Sequence, residues 1–247
     1  QALADTLSSV YQNYTTAVEQ AQNIQRGISG SLNIGILHGT YVADFMLDIT
    51  RFFQEKHPEV ELSFSYDSFH ELQNKLYNNQ LDIAFTTLFS VVEKEYLLYN
   101  YVEHSVDYIL MHRDHPLARR DSLTLKDCRN ETFILISPED CPESSTYIIQ
   151  ACHDNGFYPR IIYAPTLYDL MLNVETGRGI TILDTRNMLR LNPYIKSFPL
   201  KQSLWDPSLA AVGPVPSDGG CGVHHDGGHI PVEELEHGVG GCGDEEG

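Results

Sequence analysis

The sequence predicts an α/β protein of two similar lobes, preceded by a long helix. Three observations predict it. Leu32 to Leu37, Val60 to Tyr66 and Leu81 to Phe85 are short apolar or alternating runs separated by amphipathic stretches, the strand, helix, strand, helix, strand order of parallel crossovers. A second series of the same kind runs from Phe133 to Leu183. Upstream, Leu3, Leu7, Val10, Tyr14, Ala17, Ala21, Ile24 and Ile28 recur at alternating spacings of four and three, the seam of a helix that packs against a partner helix.

Residues 1–26 contain no Pro or Gly and carry this seam, so Leu3, Leu7, Val10, Tyr14 and Ile24 are candidate dimerisation contacts. A lone helix packed on its own domain is the other reading. Gly27 and Gly30 end the helix. Leu32 to Leu37 is apolar nearly throughout, as a strand covered on both faces requires. The next helix runs through Val42, Phe45, Met46, Ile49 and Phe53 until His57 and Pro58 stop it. Val60 to Tyr66 alternates as a strand. Ser68 with Glu71 three residues later forms a capping box, opening a helix through Leu72 and Leu76. Leu81 to Phe85 is the third strand.

Past Ser90 the pattern blurs until Val106 to Met111, a strand that enters a polar turn at Pro116. The second series comprises Phe133 to Ile136, a helix from Ser144 to Asn155 closed by Gly156, Ile161 to Tyr163, a helix from Leu167 to Glu175 closed by Gly177, and Ile180 to Leu183. The stretch around Lys196 resumes a strand. These patterns assign residues 1–30 to the helix, 31–110 plus 196–212 to lobe I, 111–195 to lobe II and 213–247 to a tail. Two crossings near Met111 and Lys196 would form a hinge, with the ligand cleft between the lobes.

The chain has 247 residues and a formal charge of −18. Residues 213–247 hold eight acidic residues, no Lys or Arg, and eleven of the 18 glycines, a composition that reads as disordered. The remaining 26 acidic and 16 basic residues still leave 10 negative charges. Such a surface repels phosphate backbones, so any DNA contact is expected from another segment. No apolar run approaches the ~20 residues that span a bilayer, and the N-terminus lacks the features of a signal peptide, so a soluble, cytoplasmic protein is expected. Cys128, Cys141, Cys152, Cys221 and Cys242 are odd in number and widely spaced, and read mostly as free thiols.

With these patterns in place, residues 1 to about 210 resemble a LysR-type transcriptional regulator lacking its winged helix-turn-helix. The matching text is GSLNIGILHGTYVADFMLDITRFFQEKHPEVELSF, FHELQNKLYNNQLDIAF, VDYILMHRDHPLA and LNVETGRGITIL. The resemblance implies a two-lobed, periplasmic-binding-protein-like (type II) effector domain behind a dimerising linker helix. It also implies a small-molecule effector, a homodimer or homotetramer, and DNA contact through an N-terminal domain not in this sequence. The chain departs from the family after LWDPSLAAV, where the glycine-rich tail stands in place of a final helix.

The free N–H groups and positive dipole at helix N-termini attract anionic or polar groups. Gly39 to Tyr41, Ser68 to Phe69, and Pro165 to Thr166 are three such helix starts facing the cleft, and Thr40, Ser68 and Thr166 each add a hydroxyl. Each also reads as a plain N-cap, worth about 1 kcal/mol. The resemblance adds His38, Thr86, Thr87 and Ser137, each just past a strand. His38 offers a donor and an acceptor, to a structural hydrogen bond as the first reading and to a ligand as the second. Phe69 and Tyr168 would line the pocket or pack in the core. The effector expected is polar, with a carboxylate as the candidate group.

Catalysis finds little support. The acidic residues show no paired arrangement, and Asp140, Glu139 and Glu143 beside Cys141 would raise its pKa and work against a nucleophilic or redox role. No cofactor is implied. Cys221, His224, His225, His229, His237 and Cys242 in the tail lack the paired spacing of a zinc site, and no metal site is assigned. A solute-binding protein of a transport system shares the expected fold and is the competing function. It would need no heptad seam. A two-lobed enzyme is a third option.

Overall fold

The computed structural model describes residues 30–91, 97–201, 204 and 206–214. The heptad helix, with its contacts Leu3 to Ile24, and the tail beyond residue 214, with Cys221 and Cys242, lie outside the described residues. No helix among the described residues is long and apolar enough to cross a membrane.

Lobe I is a five-stranded sheet in the order β2-β1-β3-β10-β4. Strands β1 (Gly30–Leu37), β2 (Val60–Asp67) and β3 (Ile83–Thr87) run parallel, with Gly30 opposite Val60 and Leu37 opposite Asp67. Strands β4 (Leu97–Glu103) and β10 (Leu209–Pro214) close the sheet antiparallel, Leu209 facing Thr87. The period of two along β1 distributes its side chains between two helices. Ile34 and Ile36 pack with Val42 and with Met46 of α1 (Ala43–Lys56). On the other face Leu37 packs with Leu72 and Leu76 of α2 (Phe69–Tyr77). Gly35 lies under α2, where a Cβ would come within 2.6 Å of Leu72.

Lobe II repeats the plan with the order β7-β6-β8-β5-β9. Here β6 (Thr132–Ile136), β7 (Arg160–Ala164) and β8 (Ile180–Asp184) are parallel, and β5 (Asp107–His112) and β9 (Ile195–Pro199) are antiparallel to them or to each other. Ile109, Met111, Phe133 and Leu135 face α3 (Pro142–Asp154), whose Ile148 and Cys152 join them. Leu110, Ile134 and Ile136 face α4 (Leu167–Glu175) through Leu167, Leu170 and Val174. The α2 side of lobe I and the α4 side of lobe II belong to one continuous apolar cluster, so the cores of the two lobes meet at the cleft.

The sheets relocate the boundaries expected at Met111 and Lys196. Asp107–His112 pairs with β8 and β9, so the first crossing is residues 104–106. Ile195–Pro199 pairs with β5 in lobe II, and the chain is back in lobe I at Leu209. An apolar run does not state its own sheet; pairing partners far along the chain decide it. The tail likewise starts later than residue 213, since Gly213 and Pro214 pair with Leu98 and Leu97.

Both crossings are tied together. The Asp107 carbonyl accepts the Leu200 N–H at 2.8 Å, its Oδ2 accepts the Leu204 N–H at 2.9 Å, and His104 Nδ1 lies 3.2 Å from Ser208 Oγ.

Candidate interlobe ligand site

The parallel strands of both lobes end at their interface, the position where an open α/β sheet presents its ligand-binding loops. An outer cleft of about 340 Å³ is lined by Ser68, His70 and Glu71 of lobe I and by Ser137, Asp140 and Tyr163 of lobe II. That volume lies within the range of about 300–1,000 Å³ typical of small-molecule pockets. A second, inner cavity of the interface, more enclosed and of about 30 Å³, is lined by Thr40, Phe69 and Thr87 of lobe I and by Ile136, Leu167 and Asn187 of lobe II.

Ser68 caps α2 as expected: its Oγ accepts the Glu71 N–H at 3.3 Å while Glu71 Oε2 accepts the Ser68 N–H at 2.9 Å. Phe69 is buried against Phe89, ring centroids 6.0 Å apart, and walls the inner cavity. Thr87 is 5% exposed, and its hydroxyl has no protein partner among the described residues. Thr86 points elsewhere: its hydroxyl lies 3.3 Å from Ser90 Oγ, and it lines neither space. Ser137 lines the outer cleft, its Oγ accepting the Glu139 N–H at 3.3 Å. Thr166 caps α4, accepting the Asp169 N–H at 3.1 Å, and lines neither space, though Pro165 before it does.

The first of the three expected helix starts is corrected. Helix α1 begins at Ala43, its N-cap is Val42, and no side chain caps it. Gly39 to Tyr41 instead pair with lobe II. Thr40 bridges Asn187, the Tyr41 N–H donates to the Arg186 carbonyl at 2.8 Å, and the Met188 N–H donates to the Gly39 carbonyl at 2.7 Å. Gly39 has φ 72°, a left-handed conformation that glycine adopts freely, and a Cβ there would stand 3.0 Å from Met171 Sδ. His38 packs on the Tyr168 ring at 4.7 Å, with its Nδ1 buried and without a protein partner among the described residues.

Two side chains that bridge the lobes escape sequence reasoning. Arg186, from the loop after β8, reaches lobe I and donates to both oxygens of Asp44 at 2.9 and 2.7 Å, pairs with Glu103 of β4, and lies 5.6 Å from the Phe45 ring. Asp140, in the turn after β6, accepts the backbone N–H of His70 in α2 at 3.0 Å. The turn SPED at a strand's carboxyl end was the one available signal for Asp140. Nothing local marks Arg186, whose partner Asp44 lies 142 residues away.

Burial dominates the titration of the interior. Asp107 is fully buried and pushed up to about 7 by burial, against the lowering bond from Leu204 and with further raising by Asp184 and Asp206. Burial likewise pushes Asp184 up to about 6. Cys128, Cys141 and Cys152 are free and buried, each thiol pushed up to about 12, chiefly by burial. For Cys141 the acidic neighbours Glu143 and Asp140 add to the rise, as their place in the sequence implies. Among the described residues no three His, Cys, Asp or Glu side chains group as metal ligands.

The fold and the site define a two-lobed, type II ligand-binding domain. The LysR substrate binding domain family matches residues 25–212, and the chain belongs to that family. It is 29% identical over 167 residues to the HTH-type transcriptional regulator AlsR of Bacillus subtilis, covering 67% of this chain and 54% of that protein. The chain therefore spans about half the length of this relative. Among solved structures it resembles the effector binding domain of QuiR in complex with shikimate, at TM-score 0.61 and 19% identity, covering 75% of this chain and 88% of that one. It also resembles the BenM effector binding domain with its effector benzoate, at TM-score 0.57 and 16% identity, covering 74% and 83%. The described residues thus form a LysR substrate binding domain, and the competing reading as a solute-binding protein of a transport system is not favoured.

Proposed function

We propose that this domain senses a small polar molecule, carrying a carboxylate, that binds between the lobes and biases their relative arrangement. The observation that carries the reading is the Thr87 hydroxyl, buried without a protein partner beside Phe69 at the cleft. Burying a hydroxyl without a hydrogen bond costs about 1–3 kcal/mol, so such a group belongs with a ligand that uses it. The shikimate and benzoate of the two structural neighbours are both carboxylates, and at the first turn of α2 the His70 N–H already receives a carboxylate, that of Asp140. Differential affinity for two lobe arrangements is the physical requirement for signalling, and it calls for no reaction.

In this reading the protein works in the cytoplasm as a homodimer or homotetramer joined by the heptad seam, and contacts DNA through a domain outside these 247 residues. Replacing Leu7 and Tyr14 by Lys is expected to dissociate the oligomer in sedimentation. The site itself is tested by a thermal-shift screen of small carboxylates, amino acids, aromatic acids and their neutral analogues, since a ligand of the folded state raises apparent stability. Hits should lose about tenfold in affinity in Thr87→Val, about 1.4 kcal/mol, and also weaken in Ser68→Ala. Affinities unchanged in both variants would place the site elsewhere.

A further inference from the structure

The lobes meet across the cleft on two sides. On one side Arg186 binds Asp44 twice, pairs with Glu103, and is flanked by the backbone bonds of Tyr41 and Met188. On the other side, at the mouth of the 340 Å³ cleft, the His70 N–H of α2 donates to Asp140 Oδ1 at 3.0 Å, and the Phe89 and Tyr147 rings meet with centroids 6.2 Å apart. The Asp140 carboxylate is poorly satisfied there. Its Oδ2 is buried without a protein partner among the described residues, and Glu71 and Glu139 line the same cleft. The turn that presents it is itself firm, with Asp140 N–H and Cys141 N–H both donating to the Ser137 carbonyl at 3.0 and 3.1 Å.

From this geometry we infer that Asp140 is a tethered carboxylate, seated on the first turn of α2 in the position that a carboxylate-bearing effector takes, and that the effector must displace it. This rests on the cleft being the effector site. A carboxylate needs more than one donor to repay its lost hydration, and Asp140 receives one here. A free carboxylate can take the same N–H without being held in the fixed Ser137 turn, and so can orient both of its oxygens toward donors and water. Displacement breaks the hydrogen bond between α2 and the 137–141 turn and leaves the Arg186 side in place. Asp140 then sets both the affinity threshold and the ligand preference of the site. It is a positioning and selectivity residue.

The test uses the full chain, with benzoate and succinate as probes and benzamide and succinamide as neutral controls, titrated by calorimetry into wild type, Asp140→Ala and Asp140→Asn. The exposed setting of Glu139 and the intact Ser137 turn favour folding of both variants, and the near-isosteric Asn stands in should the Ala variant fail. The expected result is at least a fivefold gain in affinity for a carboxylate in Asp140→Ala, a smaller gain in Asp140→Asn, and less than a twofold change for the amides. Amide exchange at His70 should accelerate about tenfold in Asp140→Ala without any probe. Equal changes for acid and amide, no gain for either acid, binding of neither acid to any of the proteins, or unchanged His70 exchange would each overturn the inference. The broader reading has a separate outcome: a neutral ligand whose affinity responds to Thr87→Val but not to Asp140→Ala leaves the cleft as the effector site while removing Asp140 from it.

Discussion

Thr87 and Gly39 show opposite uses of a single position at the cleft. The Thr87 hydroxyl lacks a protein partner at 5% exposure, so Thr87→Val, which keeps the shape, should raise the unfolding free energy by about 1 kcal/mol even as it weakens ligand binding. Chemical denaturation checks the first effect and the screen above the second; a destabilised Val variant would mean that the hydroxyl is satisfied. Gly39, at φ 72°, lies where an added Cβ meets Met171 Sδ at 3.0 Å and Leu167 at 3.3 Å. Gly39→Ala should therefore cost about 1–2 kcal/mol from backbone strain, with the contact adding to it. A fall of several degrees in the thermal midpoint is the expected outcome. The backbone demand at Gly39 cannot be read from the letters HGT, because the left-handed turn exists only where Gly39 meets lobe II.

At the scale of elements, the Arg186 loop is a lock. Its guanidinium is shielded, at 12% side-chain exposure, while Asp44 is 48% exposed, so solvent weakens the pair and the lock rests on several bonds acting together. Removing it in Arg186→Ala should cost about 1–3 kcal/mol locally. The amides of Tyr41 and Met188 should then exchange about tenfold faster or more, and Arg186→Lys, without the planar fork, should recover only part of the protection. Exchange unchanged in Arg186→Ala would show that the backbone bridge between 39–41 and 186–188 suffices alone. The helices and parallel strands were legible because periodicity and caps are local: α4 runs from Leu167 to Glu175 as its pattern states, and the Ser68 box opens α2. Strand β4 was not, since LLYNYVE lacks a clean alternation and gains its place only by pairing with β10.

Across the whole molecule, Asp107 couples the hinge to pH. Its carboxyl, ordinarily near 3.8, is pushed up to about 7, first by burial, with Asp184 and Asp206 as the charged groups that raise it further. Between these two values the folded protein keeps a proton that the unfolded chain has released. Stability therefore falls as pH rises through that window and levels off above about 7. Asp184, at about 6, adds a slope of the same sign. In Asp107→Asn the decline of unfolding free energy between about pH 5 and 7 should shrink by roughly half, leaving the Asp184 part. Denaturation at a series of pH values measures it, and a slope equal to that of wild type would refute the role of Asp107.

The sequence by itself determined the two α/β lobes, most helix limits and the family, and it named five residues that line the cleft spaces: Thr40, Ser68, Phe69, Thr87 and Ser137. These depend on period, capping and strand ends, which are properties of neighbouring residues. Tertiary structure decided where the chain crosses between lobes, that Gly39 to Tyr41 serve as an interlobe bridge rather than a helix start, and that Thr86 turns away from the cleft toward Ser90. It alone brought Asp140 to His70 and Arg186 to Asp44, partners 70 and 142 residues apart. A charged side chain carries no mark of its partner in the sequence, and only the closing of two sheets on each other sets which carboxylate meets which donor.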